Sequence, residues 1–198
     1  MVQTIHLVRH GHHALLGQVL CGRMVGVELD DFGCLQMACC AELIRHAPSA
    51  VQASPQPRAR QSAAILAWRF CLPVEIVPAV DEIDCGDWTG QPFASLKNDP
   101  GWARWNEKRG ASCPPNGESM HIMQERVVEH VEQLGRDRTD GTVVIVSHAE
   151  PIRAALLHYS GTPLDNFLSI EVDPASVSTL VVDKAGIRIA QINQRVPT

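Results

Sequence analysis

Two histidines at the ends of two apolar runs are the residues of this chain best placed to do chemistry. Leu7-Val8-Arg9-His10-Gly11 closes a run that begins near the start of the sequence, and Val143-Val144-Ile145-Val146-Ser147-His148 closes another far downstream. An imidazole can act as a nucleophile or a proton carrier near neutral pH. The guanidinium of Arg9, adjacent to one of them, is suited to hold an oxyanion. If both runs are strands of one parallel sheet, their carboxyl ends lie together and the two imidazoles share a crevice. That is the outline of an active site.

The elements needed to position these residues can be read from the pattern. Thr4 to Val8 reads as a first buried strand, and Leu35 to Ile44 as a helix with Leu35, Ala38, Leu43 and Ile44 at apolar positions. A short strand from Ala50 to Ala53 meets Ser54-Pro55. A helix from Arg58 to Phe70 is then broken by Pro73 before a strand from Val74 to Val77. The stretch from Val80 to Gly117 is rich in loops, glycine and proline, and holds three of the four tryptophans. Glu118 to Leu134 is the clearest amphipathic helix, with Met120, Met123, Val127, Val131 and Leu134 on one face. A strand from Thr142 to Val146 and a helix from Ile152 to Leu157 follow. Leu168 to Val172, Ser178 to Val182 and Ile187 to Ile192 read as β structure around a Lys184-Ala185-Gly186 turn. This alternation predicts an α/β three-layer sandwich with a mostly parallel sheet, in a single domain over residues 1–198.

Composition narrows the function classes. A chain of 198 residues with 45% apolar residues can fill one substantial core. Its formal charge of -5 argues against general nucleic-acid binding while leaving room for a local anion site. The 14 arginines against 3 lysines suit planar, oxygen-rich ligands, and equally suit a GC-rich genome. Nothing at the start reads as a signal peptide, and no apolar run approaches the roughly 20 residues a membrane span needs. The seven cysteines have neither a disulfide framework's spacing nor paired CxxC motifs, so a reducing cytoplasm is the expected setting. His10, His12 and His13 crowd together without an acidic ligand set of metal-binding spacing, and no P-loop or dinucleotide fingerprint occurs. Neither a metal nor another cofactor is expected.

Taken in order, several motifs resemble the histidine phosphatase superfamily, with its phosphoglycerate mutase-like fold. They are Arg9-His10-Gly11, the Ser54-to-Ala63 segment containing Arg58, the acidic stretch Asp81 to Gly90, the Pro115-to-Ser119 segment and Ser147-His148. The resemblance covers nearly the whole chain and implies a phosphomonoester hydrolase working without metal. His10 would be the nucleophile that forms a phosphohistidine, with Arg9 and Arg58 clamping the phosphoryl oxygens and His148 hydrogen-bonding them. Glu82 would protonate the leaving alcohol and then activate water. Asp81, Asp84 and Asp87 compete with Glu82 for the acid's role. The segment of about 84–117 would form a cap-like insertion. Arg104 in that segment and Arg23 near Cys21 to Leu29 are expected at the substrate rim, while Arg60 fits a solvent-facing position better. Phe93, Trp102 and Trp105 would fasten the cap or pack against the leaving group.

The chain departs from the family pattern in places. His12, His13 and Leu16 stand where the family has an acid or amide, a threonine and a phosphate-contacting asparagine. Ala149-Glu150 replaces a pair of glycines, and Glu150 beside an anion pocket needs either to point away or to meet a cation such as His12. The compact length resembles the small phosphatase branch, which includes phosphatases of α-ribazole phosphate and sugar phosphates. The expected partner is a small phosphorylated metabolite, with no nucleic acid or membrane, and a homodimer is compatible with the sequence. The alternatives are a mutase-type phosphoryl isomerase and a non-catalytic phospho-ligand binding protein.

Overall fold

The computed structural model describes residues 3–137 and 141–197. Its strands are β1 (Gln3–Arg9), β2 (Ala50–Ala53), β3 (Val74–Ile76), β4 (Gly141–Ser147), β5 (Val177–Asp183) and β6 (Gly186–Gln194). They form a six-stranded sheet in the order β3-β2-β4-β1-β5-β6. The first four in that order run parallel, while β5 is antiparallel to β1 and β6 to β5. The helices are α1 (Asp31–Cys40), α2 (Pro57–Phe70), α3 (Phe93–Leu96), α4 (Pro100–Glu107), α5 (Met120–Asp137) and α6 (Ala149–Tyr159).

Alternation along the strands divides the core in two. Val8, Val144 and Val146 face α1 and α2, packing with Met37, Ala59, Ala63 and Leu66. Ile5, Leu7, Val143 and Ile145 face the other way, onto Val127 and Val131 of α5 and Ile152 and Leu156 of α6. A sheet with helices on both faces is the expected three-layer α/β sandwich. A third cluster lies beyond α6, where Cys85, Trp88, Leu96 and Trp105 pack against Met120, Met123, Ala154, Leu157 and Phe167. This is how the expected cap segment is attached: α6 buries one face against the sheet and another against residues 84–117.

The structure departs from the sequence reading in three places. The first helix begins at Asp31 rather than Leu35, because the Asp30 carboxylate caps it by accepting from Gly33 N–H at 2.8 Å; beyond Cys40 it tightens into a 3-10 turn over Ala41–Leu43. The loop-rich middle contains α3 and α4, and the second of these opens on Pro100 behind an Asp99 cap. Leu168 to Val172, expected as a strand, is instead the end of a 3-10 turn over Leu164–Ser169 and the chain leading out of it. Carbonyls in that exit receive side-chain donors, Arg9 Nη1 onto Val172 at 2.6 Å and Arg153 Nε onto Ile170 at 2.7 Å, rather than a neighbouring strand. All seven cysteines are free thiols. Among the described residues no helix is long and apolar enough to cross a membrane.

Candidate active site

β1 and β4 are neighbours in register, with Arg9 opposite Ser147, so the residues that follow them leave the sheet side by side. His10 N–H donates to the Ser147 carbonyl at 3.0 Å. The rings of His10 and His148 stand 5.1 Å apart, inclined at 63°. The chain runs from β1 past the place of β4 to β2, and later returns to insert β4, which makes the carboxyl ends of β1 and β4 the sheet's switch point. His148 is also the residue from which α6 starts. Gly11 follows His10 where the backbone of α1 comes very close: a Cβ at Gly11 would lie 2.5 Å from the Gly33 carbonyl oxygen, and one at Gly33 would lie 2.1 Å from that of His12. The glycine therefore serves contact between the loop after β1 and α1.

Hydrogen bonds define the state of His10. Its Nδ1 is 2.8 Å from the Gly11 carbonyl, which accepts only, so Nδ1 carries the proton. The lone pair is then on Nε2, and Arg58 Nε donates to it at 3.3 Å. Burial, followed by the charges of Arg58 and Arg9, lowers the His10 pKa well below the usual histidine value and keeps the ring neutral. Arg58 is held by Nη2 on the Gly22 carbonyl at 2.8 Å and Arg9 by Nη1 on Val172. Four buried side-chain atoms around His10 have no hydrogen-bond partner: Arg9 Nε, Arg58 Nη1, His13 Nδ1 and His148 Nδ1. Two guanidinium groups with unmatched N–H groups beside a neutral imidazole form a receptor for an oxyanion.

His148 is fully buried, and a short relay fixes its ring. Asp81 Oδ1 accepts from Ser54 Oγ at 2.9 Å, so the serine oxygen accepts in turn from His148 Nε2 at 2.7 Å. His148 Nδ1 faces Glu82 Oε2 at 3.9 Å. Burial pushes the Glu82 carboxyl up to about 7, helped by the charge of Glu150, while Arg58, the Ile83 N–H and Arg9 pull the other way. Of the four acids considered from sequence, Glu82 alone lines the cavity. Asp81 is engaged by Ser54, Gln56 and the Glu82 N–H, Asp84 by the Gly86 N–H and Asp87 by Asn116. Glu82 is itself braced from behind, since Arg23 Nε and Arg126 Nη2 donate to its carbonyl at 2.8 and 3.1 Å. Both arginines also hold Glu118 Oε2.

Arg23 and Arg104, the two residues expected at the rim, are placed outside the cavity lining. Arg23 is turned toward Asp81, Glu82 and Glu118 by those ion pairs and hydrogen bonds, and Arg104 is exposed on α4. Besides Arg9 and Arg58, the cavity is lined by Arg109, which sequence reasoning missed. It is 6% exposed, its guanidinium carbon 4.8 Å from the Trp105 ring and 4.4 Å from that of Phe167. Arg109 Nη1 pairs with Glu150 at 3.2 Å. The cation that Glu150 needed is thus Arg109 and not His12, which bonds Asp30 at 2.6 Å. Glu150 was the only sequence signal that such a cation was required. His13 and Leu16 both line the cavity, the His13 ring 5.4 Å from that of His10. Phe93, Trp102 and Trp105 also line it, and Trp105 belongs to the third core cluster as well. Among the described residues no group of three His, Cys, Asp or Glu side chains is placed to hold a metal ion.

Comparison with known proteins places this geometry in context. The family model described as "Histidine phosphatase superfamily (branch 1)" matches residues 5–195. Phosphoserine phosphatase 1 of Hydrogenobacter thermophilus is 29% identical over 154 residues, covering 77% of this chain and 73% of that protein. The adenosylcobalamin/alpha-ribazole phosphatase of Salmonella typhimurium is 24% identical over 192 residues, covering 96% of this chain and 95% of that one. Against the bifunctional protein Rv2228c of Mycobacterium tuberculosis the identity is 29%, and the match takes in 93% of this chain but 49% of the longer relative. Among solved structures, the one titled "Mycobacterial hydrolase 1" superposes with a TM-score of 0.88 at 25% identity, covering 99% of this chain and all of that one (100%).

Proposed function

This chain belongs to the histidine phosphatase superfamily, and we propose that it is a metal-independent phosphomonoester hydrolase working through a phosphohistidine on a small phosphorylated metabolite. The observation that carries this reading is the neutral His10, its Nε2 lone pair turned toward Arg58 among the unpartnered atoms of Arg9, Arg58, His13 and His148. An entering phosphoryl dianion draws Arg58 from Nε2 onto its own oxygens, and the freed lone pair attacks phosphorus. The N–P bond forms as the P–O bond to the alcohol breaks, and Glu82 gives its proton to the departing oxygen. Water then attacks phosphorus, the N–P bond breaks back to His10, and the Glu82 carboxylate takes the water's proton. Arg9 and Arg58 stabilise charge on the transferring group throughout. With the dianion in place, its charge offsets those of Arg58 and Arg9 at His148, which favours a protonated Nδ1 donating to a phosphoryl oxygen.

The test is phosphate release from phenyl phosphate with a chelator present, with His10→Ala beside the unaltered chain. The expected result is chelator-resistant release that His10→Ala abolishes, at least about a thousandfold, as removal of a covalent nucleophile does. Release that His10→Ala leaves intact, or bisphosphate-dependent isomerisation with no net release, overturns the reading. Residues 84–117 are proposed as a cap over this site within a single domain.

A further inference from the structure

The charges lining the cavity limit what the phosphoryl group can be attached to. Those cations are Arg9, Arg58 and Arg109, and the carboxyl groups are Glu82 and Glu150. Arg9 and Arg58 flank His10 and answer the two charges of a phosphate monoester. Arg109 is already matched: Glu150 Oε2 takes its Nη1 at 3.2 Å, and Asn106 Oδ1 its Nη2 at 3.0 Å. The guanidinium also stacks on the Trp105 and Phe167 rings, which helps hold its fork in place. Glu150 is held on its other oxygen by Arg153 at 3.8 Å, which stacks on the same Phe167 ring. His10 and His13 are neutral at working pH. Leu20, Ile83, Phe93 and Trp102 supply an apolar wall. A second anionic group on the substrate would find no unmatched cation, and would face the Glu150 carboxylate.

We propose that the site takes phosphomonoesters whose leaving alcohol is uncharged and largely apolar, and that the Arg109–Glu150 pair sets this preference by keeping Arg109 from a substrate carboxylate. The proposal rests on the phosphatase reading for the place of the phosphoryl group. It separates this chain from enzymes whose leaving alcohol carries a carboxylate, as phosphoserine and phosphoglycerates do.

Benzylphosphonate and its para-carboxylated analogue differ by one carboxylate and cannot be hydrolysed. Titration calorimetry on the intact chain therefore reads the preference independently of turnover. The unaltered protein is expected to bind the neutral ligand at least about tenfold more tightly, the scale of one unmatched like charge in a partly buried site. Glu150→Gln frees Arg109 and narrows that ratio by about fivefold or more through tighter binding of the carboxylated ligand, whereas Arg109→Gln widens it. A purely structural role for the pair would move both ligands alike in both variants, and that result overturns the proposal. Equal affinities in the unaltered protein, or no binding of either phosphonate, overturn it too. Phenyl phosphate hydrolysis run in parallel separates the two readings. Hydrolysis without the preference sinks this proposal alone, and the preference without hydrolysis sinks the phosphatase reading alone.

Discussion

At the scale of single residues, the site depends on keeping two groups in unusual protonation states. In the proposed mechanism His10 must be neutral to attack, and the same burial that lowers its pKa raises that of Glu82 to about 7. Glu82 is useful as an acid only while protonated. For an alkyl phosphate, whose alkoxide is a poor leaving group, kcat/KM should fall as pH rises through about 7, and Glu82→Gln should remove that alkaline limb. The same variant should cost about a hundredfold or more on the alkyl ester, and far less on a nitrophenyl ester whose oxygen leaves without a proton. Rate profiles on the two esters check this, and equal losses on both would remove Glu82 from the acid's role. Arg109 shows why one further residue was not legible. Its place in the cavity depends on the loop after α4 lying against the start of α6, two elements distant in sequence, and nothing around Arg109 itself marks it.

Elements set where those residues stand. The strands were legible because Ile5, Leu7 and Val143 to Val146 are buried on both faces, and α5 because its apolar stripe holds its period for its whole length. The stretch around Leu168 to Val172 was misread because its composition suits a strand while its carbonyls are claimed by Arg9 and Arg153, contacts no local pattern encodes. Bracing of the acidic loop is likewise an agreement between distant elements. Arg126 on α5 bonds both Glu118 oxygens, at 2.7 and 2.9 Å, and the carbonyls of Ala79 and Glu82. Replacing it with methionine leaves the largely buried Glu118 with Arg23 as its remaining cation and the Asp84 N–H as a backbone donor. The expected cost is about 3 kcal/mol of stability in urea unfolding, the usual scale for breaking a buried pair from one side. Because the same change loosens the Glu82 backbone, kcat should drop more than KM changes, which steady-state kinetics on the folded variant will read.

Over the whole molecule, five histidines share one electrostatic habit. Burial lowers His6 and His13 to about 4, His10 and His148 well below the usual value, and His130 to a smaller extent. Below about pH 6.5 the unfolded chain binds protons that the folded one refuses, so stability is lost as pH falls through that value. Glu82 acts in the opposite sense between its ordinary value of 4.5 and about 7, but it is one group against several. The melting temperature should therefore climb by at least about 5 °C from pH 4 to pH 6.5 and then level off, measurable by circular dichroism. A flat profile across that interval would mean these histidines are not buried neutral.

The double burial of α6 has a kinetic consequence. Ile152 and Leu156 belong to the sheet's core, while Ala154 and Leu157 belong to the cluster that anchors residues 84–117. Swinging that segment away would expose apolar surface on the helix that carries His148 at its start. Opening and closing at this boundary therefore carries the cost of exposing that apolar surface on every cycle. In the proposed reaction, alcohol and phosphate are then expected to leave by a standing mouth, with turnover timed by the bonds at phosphorus rather than by the clearance of a lid.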